Sequence, residues 1–185
     1  TFWKAGVSEH SMKRCLPSPA GRHIALYPGA FKPPHKAHFA AVAGLASRAD
    51  IDEVVVIVSN RCRHIPGTSK AFGAEVALRV LEIFLRDVAK VRIEIATHNA
   101  VTHALGYLDN AQAGDVLSFC VGEADLNRGD DRYCSLLEHQ NPPAVSVQIL
   151  PLPTAALKVR ATALRAALAD GDAGRHPFDA AMPDH

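Results

Sequence analysis

Glu53-Val54-Val55-Val56-Ile57-Val58-Ser59 (EVVVIVS) is the stretch on which the fold turns. Its five consecutive β-branched apolar residues leave no polar face. A strand of that kind belongs in the middle of a parallel sheet covered on both sides. Comparable runs lie around it: His23–Pro28 (HIALYP) before, and Val91–Thr97 (VRIEIAT), Val116–Val121 (VLSFCV) and Ser146–Leu150 (SVQIL) after. Between them come longer amphipathic stretches, predicted as helices over Ala37–Arg48, Ala74–Val88, Val101–Ala113, Asp130–His139 and Ala161–Ala169. With right-handed crossovers, this alternation predicts an α/β fold: a Rossmann-like, doubly wound, five-stranded parallel sheet with helices on both faces. Ligands of such a sheet sit outside the carboxyl ends of its strands, near the switch in strand order, so function is expected in the loops that follow the strands.

The 185 residues, 48% of them hydrophobic, suffice for one domain with a full core. That domain is expected over residues 23–170. Thr1 to Arg22 reads as an extension or linker, because Pro, Ser, charge and single aromatics follow no period there, and 171–185 reads as a turn-rich tail. Thr1 is not a natural initiator, which leaves open that the chain belongs to a longer polypeptide. Twenty Lys and Arg against nineteen Asp and Glu give a net charge of +1, too little for a global field that would select nucleic acid or an anionic membrane. Aromatics, at 6%, are too few for a base-stacking surface. Any anionic ligand must be bound locally. Cys15, Cys62, Cys120 and Cys134 form no CxxC pair and read as reduced thiols, and no signal peptide or membrane span is visible, so a cytoplasmic protein is expected.

The most informative loop follows the first predicted strand: Pro28-Gly29-Ala30-Phe31-Lys32-Pro33-Pro34-His35-Lys36-Ala37-His38. Gly29 marks a place for positive φ or close approach to a ligand, and Pro33-Pro34 stiffens the entry to the next helix. His35 and His38, three apart, share one face of a first helical turn. By spacing alone they fit a metal pair or two surface histidines as well. A helix N-terminus, however, already offers unpaired N–H groups and a positive dipole end. Two imidazoles and Lys32 or Lys36 added to it suit a polyphosphate better than a neutral ligand.

The segment GAFKPPHKAH resembles the GxFxPxHxGH signature of the HIGH-superfamily nucleotidyltransferases, which include nicotinamide or nicotinate mononucleotide adenylyltransferases, phosphopantetheine adenylyltransferase and cytidylyltransferases. The resemblance implies that His35 and His38 bind a triphosphate and stabilise the transition state, with Lys32 beside them. It also implies that Pro28, Gly29, Ala30 and Phe31 line the nucleotide cleft. Ala37 stands where the family has Gly. A second stretch, Lys158-Val159-Arg160-Ala161-Thr162-Ala163-Leu164-Arg165, resembles the family's ISSTxxR motif. There Thr162 and Arg165 are implied at the phosphates, with Arg160 and Ala161 along the nucleotide and Lys158 as a helper. Val121-Gly122-Glu123-Ala124-Asp125 resembles a GxD-type nucleotide loop with one extra residue. It puts Gly122 and Asp125 at the nucleotide and Arg128 or Arg132 near a phosphate, unless Asp125 simply caps a helix.

The long loop after the second strand, Ser59 to Phe72, carries Arg61, Arg63, His64 and Lys70, and its basic character suits a phosphate or phosphonate acceptor. His98 and His103 read as structural or surface residues. The resemblance implies in-line transfer of an NMP unit from ATP or CTP to a small acceptor with release of pyrophosphate. Mg²⁺ is expected on the nucleotide phosphates rather than in a protein carboxylate site. The ISSTxxR-like end favours adenylyl transfer. Cytidylyl transfer to a phosphonate or a sugar or alcohol phosphate stays open, as do a nucleotide-binding sensor without turnover, a homo-oligomer, and the identity of the acceptor.

Overall fold

The computed structural model describes residues 21–126, 144–153, 160–170 and 179–183. The apolar runs became the sheet. Strands β1 (His23–Gly29), β2 (Glu53–Val58), β5 (Val91–Ile95), β6 (Val116–Gly122) and β7 (Ser146–Leu152) pair in parallel in the order β5-β2-β1-β6-β7. In β1, Leu26 lies opposite Val55 of β2 and Phe119 of β6. The chain therefore leaves β1 toward β2 and β5, then returns to the other side of β1 to build β6 and β7. The switch falls between β1 and β6, whose carboxyl ends carry Gly29 and Gly122.

Alternation along each central strand divides the core into two layers. Ala25, Tyr27, Val54, Val56 and Val58 meet Phe39, Val42 and Leu45 of α1 (Lys36–Ala46) and Ala77, Leu81 and Leu85 of α2 (Ala74–Leu85). Ile24, Leu26, Val55, Ile57 and Phe119 face Ala100, Ala104 and Leu105 of α3 (Ala100–Leu105) on the opposite side. Each Val, Leu, Ile or Phe so buried contributes about 1.5–3 kcal/mol over an exposed one. This double coverage explains why β2 tolerates no polar face. Two further helices are α4 (Glu123–Leu126) and α5 (Ala161–Ala169). Among the described residues no helix is long and apolar enough to cross a membrane.

The structure differs from expectation in particular places. The helix predicted over Val101–Ala113 is shorter: α3 starts where Asn99 accepts the Thr102 N–H at 2.8 Å and stops at Gly106, followed by a 3-10 turn at Leu108–Asn110. Gly106 adds no side-chain packing to continue the helix. The loop after β2 holds an unforeseen hairpin, β3 (Arg63–His64) against β4 (Ala71–Phe72). At its turn Gly67 adopts φ +70° and Thr68 N–H donates to Ile65 O at 3.2 Å. Pro followed by a positive-φ Gly is the residue choice of a type II turn. The end of the predicted extension is fastened to the sheet, since Arg22 N–H donates to Asp115 Oδ1 at 2.8 Å and Arg22 O accepts from Val116 N–H at 2.8 Å. The helix predicted over Asp130–His139 lies outside the described residues, as do Cys15 and Cys134. Cys62 is exposed and Cys120 buried, both as free thiols.

Candidate active site

The loop after β1 is organised around Phe31. Its backbone sits at φ +51°, a left-handed conformation that costs a non-glycine residue roughly 1–2 kcal/mol and persists only where packing holds it. Packing does hold it: Phe31 is 2% exposed, with its ring edge-on to Tyr27 at 5.2 Å and to His38 at 4.9 Å. Gly29 does not take a positive φ, one of the two uses its position suggested, because that conformation falls two residues later. Gly29 is required for another reason. A Cβ there would lie 2.9 Å from Cε2 and Cζ of the Phe31 ring. Pro28 and Gly29 are half-buried and Ala30 is exposed at the carboxyl edge.

Lys32 is anchored at that edge. Its side chain is wholly buried, and Nζ donates to the carbonyl of Ser59 at the end of β2. Burial pulls its pKa below the ordinary lysine value, with Arg63 acting in the same direction. In the structure this ammonium fastens the first loop to the residue that follows the second strand.

His35 and His38 come together as their spacing predicts, at the N-terminus of α1. Their rings stack at 3.7 Å with 26° between planes. The His35 backbone N–H donates to His38 Nδ1 at 3.2 Å, so the proton of the neutral His38 ring sits on Nε2. Burial drives the His35 pKa down to about 4. His38 is driven to about 3, by burial first and by His35 second. Both rings are therefore neutral at pH 7 and serve as hydrogen-bonding groups rather than cations. His35 Nδ1 is buried without a hydrogen-bond partner among the described residues. Such an atom in a native protein calls for a ligand or water.

The second motif meets the first. Arg165, half-buried on α5, donates from one guanidinium nitrogen to the Lys32 carbonyl at 2.5 Å and from another to Thr162 Oγ1 at 3.2 Å. Two segments more than 130 residues apart are thus joined directly. Thr162 is exposed in the first turn of α5, and Arg160 occupies its N-cap position without a side-chain cap. Ala161 is half-buried beside them.

The other candidates line the same edge. Gly122 ends β6, and Asp125 lies within α4 rather than capping it. The Asp125 charge helps to raise the Tyr27 phenol pKa, after burial and Cys120. Arg61, Arg63 and Lys70 are exposed on and around the β3–β4 hairpin that follows β2. Arg128, Arg132 and Lys158 lie outside the described residues. His98 is exposed, whereas His103 is tied to Glu94 at 3.0 Å and accepts the Thr97 N–H at 3.3 Å, a structural role on the far side of the sheet.

Three participants escaped the sequence reading. Tyr27 looked like an ordinary strand residue, and Ser59 acts through its carbonyl, which no side-chain pattern reveals. The tail likewise gave no signal, yet Ala181 is buried and its carbonyl accepts the Lys36 N–H at 2.8 Å. Among the described residues no cluster of three or more His, Cys, Asp or Glu side chains could hold a metal ion.

The fold defines a class, the Rossmann-like α/β proteins with a five-stranded parallel sheet in the order β5-β2-β1-β6-β7. Within it, the chain is similar in structure to Plasmodium falciparum nicotinic acid mononucleotide adenylyltransferase complexed with NaAD, with 12% identity, 87% of this chain and 90% of that chain covered, and a TM-score of 0.57. A structure of the same enzyme complexed with APC matches at 13% identity over 71% of this chain and 75% of that one, with a TM-score of 0.41, too loose to argue from. No protein-family model matches the chain, and no curated protein is similar to it in sequence. At these identities the fold is what is shared.

Proposed function

We propose that the chain is a nucleotidyltransferase. It transfers AMP or CMP from ATP or CTP to a small phosphate- or phosphonate-bearing acceptor and releases pyrophosphate. The observation that carries this reading is the direct bond between the two motif loops, Arg165 to the Lys32 carbonyl, beside a stacked pair of neutral histidines at a helix N-terminus. A polyphosphate there meets His35 and His38, the Thr162 hydroxyl, the remaining N–H groups of Arg165 and the positive end of α1. Pro28, Gly29, Ala30, Phe31, Gly122, Asp125, Arg160 and Ala161 are assigned to the nucleotide, and Arg61, Arg63 and Lys70 to the acceptor. Lys32 reaches a phosphate only by leaving Ser59.

In the reaction, an ionised oxygen of the acceptor attacks the α-phosphorus in line. The new P–O bond forms as the bond to the β-phosphate oxygen breaks, and the electron pair leaves with pyrophosphate. Neutral His38 donates through Nε2 and keeps that donor as charge builds, so catalysis is alignment plus stabilisation of developing charge. Imidazole, hydroxyl and guanidinium groups suit Mg²⁺ that would enter on the phosphates and would neutralise part of their charge there. Adenylyl transfer to a mononucleotide comes first, supported by the ISSTxxR-like start of α5 and by the activity named for the structural relative.

The test is pyrophosphate release with ATP and with CTP, each against nicotinate and nicotinamide mononucleotides, phosphopantetheine, and a panel of small phosphates and phosphonates. Release with one pair is expected. Silence across the panel while nucleotide still binds refutes transferase activity toward these acceptors and supports a sensor.

A further inference from the structure

We propose that residues 179–183 form a displaceable strap that competes with the nucleotide's triphosphate for the N-terminus of α1; the inference rests on the nucleotidyltransferase reading. Lys36 N–H, the first amide of α1, donates to Ala181 O at 2.8 Å, and Lys36 Nζ donates to Ala180 O at 2.6 Å. The strap is held in a turn by Met182 N–H on Asp179 O at 3.1 Å, and Ala181 is only 4% exposed. The unpartnered, buried Nδ1 of His35 lies at the adjoining residue, so this end of the helix has unmet demand for a ligand even with the strap in place.

Helix-terminal amides are where an anion binds, and a phosphate oxygen and a peptide carbonyl cannot both take the same N–H. In the strapped form, two carbonyl oxygens present partial negative charge where the triphosphate would arrive, and the Lys36 ammonium is turned onto the chain's own backbone. Strap down, the site is closed; strap up, the amide and the ammonium are released together. Two hydrogen bonds of ordinary net strength set a closed-to-open ratio on the order of ten. The apparent dissociation constant is the intrinsic one divided by the open fraction, so the strap weakens triphosphate binding about tenfold. Whatever engages the tail would then tune the affinity of the site.

The experiment is calorimetric titration of inorganic tripolyphosphate into the full chain, wild type against Ala181→Arg and Ala181→Glu. A residue this buried has no room for either side chain, so both lift the strap. A chain ending after Asp170 removes it by a separate route, and circular dichroism checks that each variant is folded. Binding about tenfold tighter in both point variants and in the shortened chain is expected. Tighter binding with Arg but weaker with Glu assigns the effect to charge and overturns the strap. Unchanged or uniformly weaker binding also overturns it and leaves the phosphate site standing. If wild type and all variants fail to bind, the site reading falls, and the strap with it.

Discussion

Replacing Gly29 by Ala tests how the first loop is built. The added Cβ would lie 2.9 Å from two carbons of the Phe31 ring and 3.4 Å from a third. Unstrained carbon pairs rest at about 3.5–4.0 Å, so the shortfall on the closest pair is roughly 0.6–1.1 Å. The ring has no easy retreat, being buried edge-on between Tyr27 and His38 on a residue already at φ +51°. Overpacking of this kind costs about 1–3 kcal/mol. For a domain of this size each kcal/mol lowers Tm by about 2–4 °C. Urea unfolding and thermal melting of Gly29→Ala should show that loss, whereas in a Phe31→Ala background the same substitution should cost close to nothing. An equal cost in both backgrounds, or none in either, refutes the reasoning. Because the displaced ring also packs on His38, turnover should fall along with stability.

Acid should destabilise the protein through the histidine pair. Both rings have pKa values near 3–4 in the fold against an ordinary 6.5, so the unfolded chain takes up protons first as pH falls below about 6.5. Stability present above that pH is then lost at about 1.4 kcal/mol per unit per ring, roughly 2 kcal/mol each by pH 5, until the folded values are reached. Urea unfolding at pH 7 and pH 5 should therefore differ less in a His35→Asn/His38→Asn variant, and an equal difference contradicts the assignment. Lys32→Met should cost about 1.5–3 kcal/mol by removing a charged donor from the Ser59 carbonyl, and should leave tripolyphosphate affinity unchanged. Lost affinity at unaltered stability would instead put the ammonium on the phosphates.

The sheet was legible because its signal is repeated and local. Val54 to Val58 can be buried on both faces only inside a covered sheet, and every predicted strand appears within two residues of its expected end. Helix α5 begins and ends where its periodicity does. The pairing of His35 with His38 was readable for the same reason, since three residues along a helix fix a shared face. Contacts made by backbone carbonyls were not readable. The carbonyls of Ser59, Lys32, Ala180 and Ala181 hold Lys32, Arg165 and Lys36, and carbonyls carry no sequence signature. The reason for Gly29 was missed likewise, because it depends on the Phe31 ring folding back over it. The β3–β4 hairpin has two residues per strand, too few to show any period.

The most direct test of the account is the rate of pyrophosphate release by His38→Ala against wild type, at saturating nucleotide and with the acceptor that supports wild-type turnover. Loss of a donor aimed at developing charge predicts a rate lower by about 100-fold or more with nucleotide still bound. A variant that releases pyrophosphate at the wild-type rate would contradict the claim that this histidine pair is the catalytic centre.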